Sequence, residues 1–490
     1  MSLLIEGGFA MRNFLKISLL LFFCFTVAVA AAGEPRAGGG IPQSASDDSL
    51  ASVRQSDRSA RSKDGSISRL AAAEHMRRAN VYMTNRAFAE ARDHWQALLK
   101  FYPQDSNVPS AMFGIGRSYF QERQYQDAFT VYDRLRKAYP ETKDGREALN
   151  FSGAAALRMG RAGEAADRYR LYTEQYPKGE RIESAHLNLI DALREAGRPK
   201  DAAQWIVRTR EKFADSVTDI NAEFAQLRLD VAEGSWKHAV TTANDLATKR
   251  FSKTVLTTPG EVAYLKGYSL QQLGRRDEAI AVYLTIPDSL DSYYGWLATQ
   301  RLQALVAERQ RDIVNQREER TASQVAATLG SYPAPYRESI LRTAKQRDLD
   351  PRFILAIIRQ ESVFKPLAKS PAGARGLLQL TVDAAQKYAA VVGINTLREN
   401  ELYRPETSIL VGGEYLAELL RMFPNQLEAV AASYNGGEDN VARWVKRAKQ
   451  KDPGVFTSEI GFDETKAYTQ KVMANYRAYR MLYTADLRRR

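Results

Sequence analysis

Cysteine is almost absent: Cys24 is the only one in 490 residues. It lies in an apolar run, Ile17 to Val29, that follows Arg12 and Lys16 and leads into Ala28-Val29-Ala30-Ala31-Ala32. A basic start, a short apolar core and small residues together form the pattern of a secretory signal, expected over residues 1–32, with Met11 a candidate start. The run is short for a membrane span, and an uncleaved anchor is the alternative reading. Phe22 and Phe23 precede Cys24 where a lipid-attachment site would want small residues, so no lipid anchor is expected. Beyond the signal no cysteine remains. The fold therefore needs no disulfide and suits an oxidising compartment such as the periplasm, the expected location.

Histidine is nearly as scarce. His75, His94, His186 and His238 are the four present, and residues 333–490 contain neither His nor Cys. That excludes a Ser-His-Asp triad, a Cys-His nucleophile and a His-ligated zinc centre from this region. No Gly-rich phosphate loop and no dinucleotide fingerprint occur, so no cofactor and no metal are expected. Carboxylates, tyrosines, lysines and backbone dipoles remain, and a carboxylic acid in general acid–base work is the natural candidate.

Charge is not balanced. The chain carries a net +12. An excess of this sign suits nucleic acid, anionic lipid or cell-wall glycan bearing peptide carboxylates, or simply a solvated helical surface. The export signal argues against nucleic acid as a partner.

Large apolar residues are also rare from Gly33 to Ser66, a segment rich in Gly, Ser, Asp and Arg, and a disordered leader is expected over 33–66. Periodicity then begins. Ala91, Ala128, Ala165, Ala202 and Ala239 stand 37 residues apart. Pro103, Pro140 and Pro177 each follow a tyrosine twelve residues after the first three, and Gly116 and Gly153 stand twelve before Ala128 and Ala165. This spacing resembles the tetratricopeptide repeat, in which small residues let paired helices approach and proline ends the second helix. The repeat's usual period is about 34 residues, so the extra residues are expected in a turn. A helical repeat domain is expected over 67–304 and a charged linker helix over 305–332. Pro333-Ala334-Pro335 then opens a second domain, 333–490.

In that second domain Ile354, Ile357 and Ile358 form a helical apolar stripe, and Glu361 falls on it. A carboxylate on an apolar face loses water, and desolvation raises its pKa. Such a group can donate a proton near neutrality. A structural glutamate paired with a buried arginine is the alternative on periodicity alone.

The residues that follow narrow the choice. Glu361-Ser362-Val363-Phe364, Ser370, and Gly373-Ala374-Arg375-Gly376-Leu377-Leu378-Gln379 form one motif. Ala432-Ser433-Tyr434-Asn435-Gly436-Gly437 forms a second, and Glu459-Ile460-Gly461-Phe462 with Glu464-Thr465-Lys466 and Tyr468 a third. In this order they resemble the soluble lytic transglycosylase family. Leu378 stands for the usual Met, Ser433 for Ala, Gly461 for Pro and Lys466 for Arg. The resemblance implies an all-α chain in which a tetratricopeptide-like superhelix precedes a lysozyme-like, mainly helical catalytic domain. It implies cleavage of the β-1,4 bond between N-acetylmuramic acid and N-acetylglucosamine, with a 1,6-anhydro product and Glu361 as single acid/base. It further implies substrate-binding roles for Ser370, Gln379, Tyr434, Asn435, Glu459 and Tyr468. Ser370 would contact substrate near the cleaved bond, Gln379 would line the groove, and Tyr434 would sit close to Glu361. Glu459 would close the site wall and Tyr468 would pack nearby. Gly373 and Gly376 are expected to allow a tight turn and close approach of glycan. Ser370 as a turn residue, Gln379 as a capping amide and Tyr434 as core remain the plainer readings. A muramidase on the same fold and a non-catalytic wall-binding scaffold are the rival functions. Peptidoglycan strands are the expected partner, with other wall proteins a candidate for the repeats and no membrane span once the signal is cleaved.

Overall fold

A computed structural model describes residues 49–61, 66–308, 311–370 and 373–490. The expected signal, Cys24 and the first part of the leader lie outside the described residues. The chain is all-α: among the described residues the only β features are isolated bridges such as Lys369–Arg375 and Arg375–Leu380. No helix among them is long and apolar enough to cross a membrane.

The repeat region is built of antiparallel helix pairs, from Ala72–Thr84 with Phe88–Phe101 to Pro259–Gln272 with Arg276–Leu284. The period-37 alanines are all without exposed surface. Each lies where a larger side chain would push the paired helices apart. The glycines have a matching cause. A Cβ at Gly116 would meet the Tyr132 ring at 2.5 Å, one at Gly153 the Tyr169 ring at 2.9 Å, and one at Gly267 the Tyr283 ring at 2.6 Å. Each glycine thus admits a tyrosine sixteen residues later. Helices end at Phe101, Ala138 and Gln175, one residue before each Tyr-Pro pair, because proline cannot continue the backbone ladder. Between successive repeats the chain runs through the connections 102–107, 139–142 and 176–181.

The leader expected to be disordered to residue 66 requires correction. Leu50–Ala60 is a helix, capped by the Ser49 hydroxyl. Val53 is buried beneath it, and the buried Asp57 binds Arg78, Tyr82 and His94 of the first repeat. One apolar residue and one well-paired carboxylate anchor the helix, and composition does not reveal so sparse an anchor.

The expected linker contains the helix Arg311–Ala327, whose Val314 and Val325 are buried. They join an apolar core that runs without a break from Val240 through the acid helix to Leu487. The last repeats and the C-terminal region therefore share one core. Polar contacts reinforce that seam: Arg443 to Glu195 at 2.7 Å, Lys466 to Glu261 at 2.7 Å, and Arg477 to Asp288 at 2.6 Å.

Candidate active site

The helix Pro351–Ser362 holds the candidate acid. Asp350 caps its start by accepting the Arg352 N–H at 2.9 Å, and Pro351 fills its first turn, where a missing N–H costs nothing. Ile354, Leu355, Ala356, Ile357 and Ile358 are fully buried. The long helix Asp463–Leu482 packs along this one. Tyr476 meets Phe353 edge-on with ring centroids 5.5 Å apart and donates to Asp350 at 2.8 Å. Arg359 donates to Asn475 at 3.1 Å. Next along the pair comes Glu361, whose Oε1 accepts the Tyr468 hydroxyl at 2.6 Å.

Glu361 is half-buried as a residue, yet its Oε2 is out of contact with solvent and has no hydrogen-bond partner. Burial pushes its pKa up to about 8; the Tyr468 hydrogen bond opposes that rise and the charge of Glu464 adds to it. A neutral acid with one oxygen held and the other unsatisfied is ready to donate to whatever enters beside it. Immediately after the acid the chain turns through Val363 and Phe364, both in the left-handed region at φ 49° and 61°. For a β-branched residue that conformation is strained, and strain of this kind gathers at functional sites.

The other expected residues divide. Tyr468 touches the acid directly. Tyr434 donates to the Leu378 carbonyl at 2.6 Å and packs against Tyr415 at 5.1 Å. It is near enough to Glu361 for that charge, after burial, to raise its own pKa. Ser370 accepts the Ala374 N–H at 3.1 Å and so closes the turn. Gln379 gives both amide hydrogens to backbone carbonyls, Ala368 at 3.0 Å and Gly376 at 2.8 Å. Both side chains brace the loop that carries Leu378 to Tyr434, and the Gln379 amide serves loop carbonyls and caps no helix. Gly376, at φ +75°, would place a Cβ 1.9 Å from the Leu402 carbonyl, so its close neighbour is protein backbone. Asn435 accepts the Thr465 hydroxyl at 2.6 Å.

Glu459 is a correction. It is 1% exposed and enclosed by arginines: Arg447 at 2.8 Å, Arg194 at 3.1 Å and Arg228 at 3.3 Å. Arg194 and Arg228 come from the repeats, so this residue joins the two regions and does not form a wall open to substrate. Sequence reasoning missed Glu464. Its pKa is raised by burial and eased by a hydrogen bond with Asn435, and its charge bears on Glu361. The available signal was spacing: Glu464 stands one helical turn before Tyr468. Glu428 is a further buried acid, pushed up to about 7, but it accepts from Tyr293 at 3.3 Å in the seam. No group of three or more His, Cys, Asp or Glu able to hold a metal exists among the described residues.

A buried carboxylic acid with one unsatisfied oxygen thus lies beside tyrosines, in an all-α chain with a repeat stack. Comparison with known proteins narrows the class. Residues 338–456 match the transglycosylase SLT domain, and residues 76–141 and 113–180 match the tetratricopeptide repeat. The chain thus carries an SLT domain behind tetratricopeptide repeats. It is 34% identical over 150 residues to the soluble lytic murein transglycosylase of Salmonella typhimurium, covering 30% of this chain and 23% of that one. It is 32% identical over 159 residues to the soluble lytic murein transglycosylase of Escherichia coli K12, covering 32% and 24%. The matched stretch spans about a quarter of these curated relatives. A solved structure of an inactive mutant of lytic transglycosylase Slt from Pseudomonas aeruginosa aligns at TM-score 0.49 and 20% identity, over 84% of this chain and 79% of that one.

Proposed function

We propose that this protein is an exported peptidoglycan lytic transglycosylase that acts in the periplasm. It cleaves the β-1,4 bond between N-acetylmuramic acid and N-acetylglucosamine, and Glu361 is the single acid/base. The observation that carries this reading is the buried, unpartnered Oε2 of Glu361. Held neutral, that oxygen protonates the glycosidic oxygen as the bond to muramoyl C1 breaks. The carboxylate so formed then takes the proton from the muramoyl C6 hydroxyl, whose oxygen closes on C1. Water is not consumed, and the product ends in a 1,6-anhydro ring. An attacking group already held in the substrate acts at high effective concentration, so no second carboxylate is required. Tyr468 steadies the charged form of the acid between the two proton transfers.

The match of residues 338–456 to the SLT domain and the names of the curated relatives support the same reading. The muramidase alternative has one observation in its favour, the second carboxylate Glu464 close to Glu361. Mass spectrometry of muropeptides released from purified sacculi separates the two. Products one water lighter than the reducing sugar are expected; hydrated reducing ends would make the protein a muramidase.

A further inference from the structure

The repeats contain an exception at one backbone position. The residue that turns the chain between paired helices lies in the left-handed region at Arg86, Arg123, Gly160, Gly197 and Gly234, each 37 residues after the last. Three of the five are glycine, which adopts this conformation without steric cost, whereas a side chain there is strained. Arg86 has a local reason, since its guanidinium lies over the Phe88 ring at 5.3 Å. Arg123 has no such partner. Its side chain is exposed and makes no hydrogen bond or ion pair among the described residues. It extends instead toward the SLT domain: its Nη2 lies 3.5 Å from the point a Cβ would occupy on Gly437.

Gly437 closes the second motif, two residues after Asn435 and three after Tyr434. The charge of Arg123 is felt by Tyr415, the ring packed on Tyr434. Three other arginines of the seam are matched by acids, Arg194 and Arg447 by Glu459 and Arg443 by Glu195. Glu438 follows Gly437 in the chain, and no ion pair joins it to Arg123. The result is one strained, unmatched guanidinium brought by the repeats to the motif that flanks the acid.

We propose that Arg123, beside the second motif, is a specificity residue that takes a carboxylate of the peptide stem on the glycan strand. The inference rests on the transglycosylase reading, which supplies the acidic substrate. A guanidinium binds a carboxylate through paired N–H donors, and strain that no internal contact repays is retained for a ligand.

The test uses the full chain and two substrates: stem-bearing glycan strands with free stem carboxylates, and the same strands with those carboxylates amidated. The unmodified protein should cleave the free form about five- to tenfold better in kcat/KM, chiefly through KM, as expected of a partly exposed charge-assisted contact. Arg123→Gln should lower the free form to the amidated level and leave the amidated rate unchanged. Arg123→Lys should keep part of the preference, and both variants should melt at the same temperature as the parent. Equal losses on both substrates with a lower melting temperature would make Arg123 a docking strut and overturn the proposal. Indifference of the unmodified protein to amidation would overturn it too. Absence of anhydro products from either substrate would fail the transglycosylase reading itself, before any variant is compared.

Discussion

Two glutamates of the C-terminal region lose water in opposite ways. Glu459 sits where the repeats meet the SLT domain, and Glu361 where the acid helix ends. For both, burial alone favours the neutral form. At Glu459 the charges of Arg194, Arg228 and Arg447 overcome that effect and hold the pKa below the ordinary carboxylate range. At Glu361 no cation intervenes, and burial wins, pushing the pKa to about 8. The same side chain is therefore a fixed anion that joins two regions in one place and a carboxyl biased to its neutral form in the other. Burial does not choose between these fates; the charge of the neighbours does.

The largest effect is expected at Glu361. Glu361→Gln keeps the shape and removes the proton chemistry, and lytic activity on sacculi should fall by about a thousandfold, within the range for loss of a general acid–base. The variant should melt no lower than the parent. A variant that digests sacculi at the parent's rate would sink the assignment of the acid.

Glu459→Gln should do the reverse. It leaves buried guanidiniums uncompensated, which costs about 3 kcal/mol. Thermal unfolding followed by circular dichroism should show that loss, while turnover measured well below the transition stays close to the parent's. An unchanged melting temperature would deny the arginine cage its joining role.

Tyr468→Phe is a smaller perturbation of the acid. The hydroxyl stabilises the carboxylate form, so its loss raises the pKa of Glu361 further. The alkaline limb of the activity profile should begin near pH 8 in the parent and move upward in the variant. The rate at the optimum should fall about tenfold, as expected for one lost charge-assisted hydrogen bond.

Melting as a function of pH gives the smallest effects and the cleanest contrast of sign. Glu361 has a folded pKa above its unfolded value, so its stabilising contribution is complete below about 4.5 and is lost as pH rises toward about 8. Glu361→Gln should therefore gain stability relative to the parent across that window. Glu459 has a lowered folded pKa. Its contribution is present above the unfolded carboxylate pKa and lost as pH falls, so the gap between parent and Glu459→Gln should narrow in acid.

The two sites also differed in how plainly they could be read. Glu361 lay on a local apolar stripe and headed a run of motif residues, so its position followed from a dozen neighbouring letters. The motif alone puts Glu459 in a wall of the same site. Its true partners Arg194 and Arg228 stand 265 and 231 residues away in the chain, beyond any local pattern. Ser370 and Gln379 fall between. Their loop was legible, but that their polar atoms serve backbone groups of the same loop depends on its folded path. The helix Leu50–Ala60 is not legible in composition, because its polar surface hides a single buried valine and a single buried aspartate.

By itself the sequence settled whatever repeats or acts within a few turns of helix: the 37-residue period, the alanines and glycines that tolerate close packing, the ends of the three second helices before Tyr-Pro pairs, and the acid on its greasy face. Such features follow from side-chain volume and backbone geometry, which act over a few residues. Tertiary structure alone decided which buried carboxylate met cations and which did not, that Tyr468 holds the acid, and that an arginine of the repeats reaches Gly437. Coulomb energy and desolvation depend on distance in space, and the fold brings together groups that the chain keeps far apart.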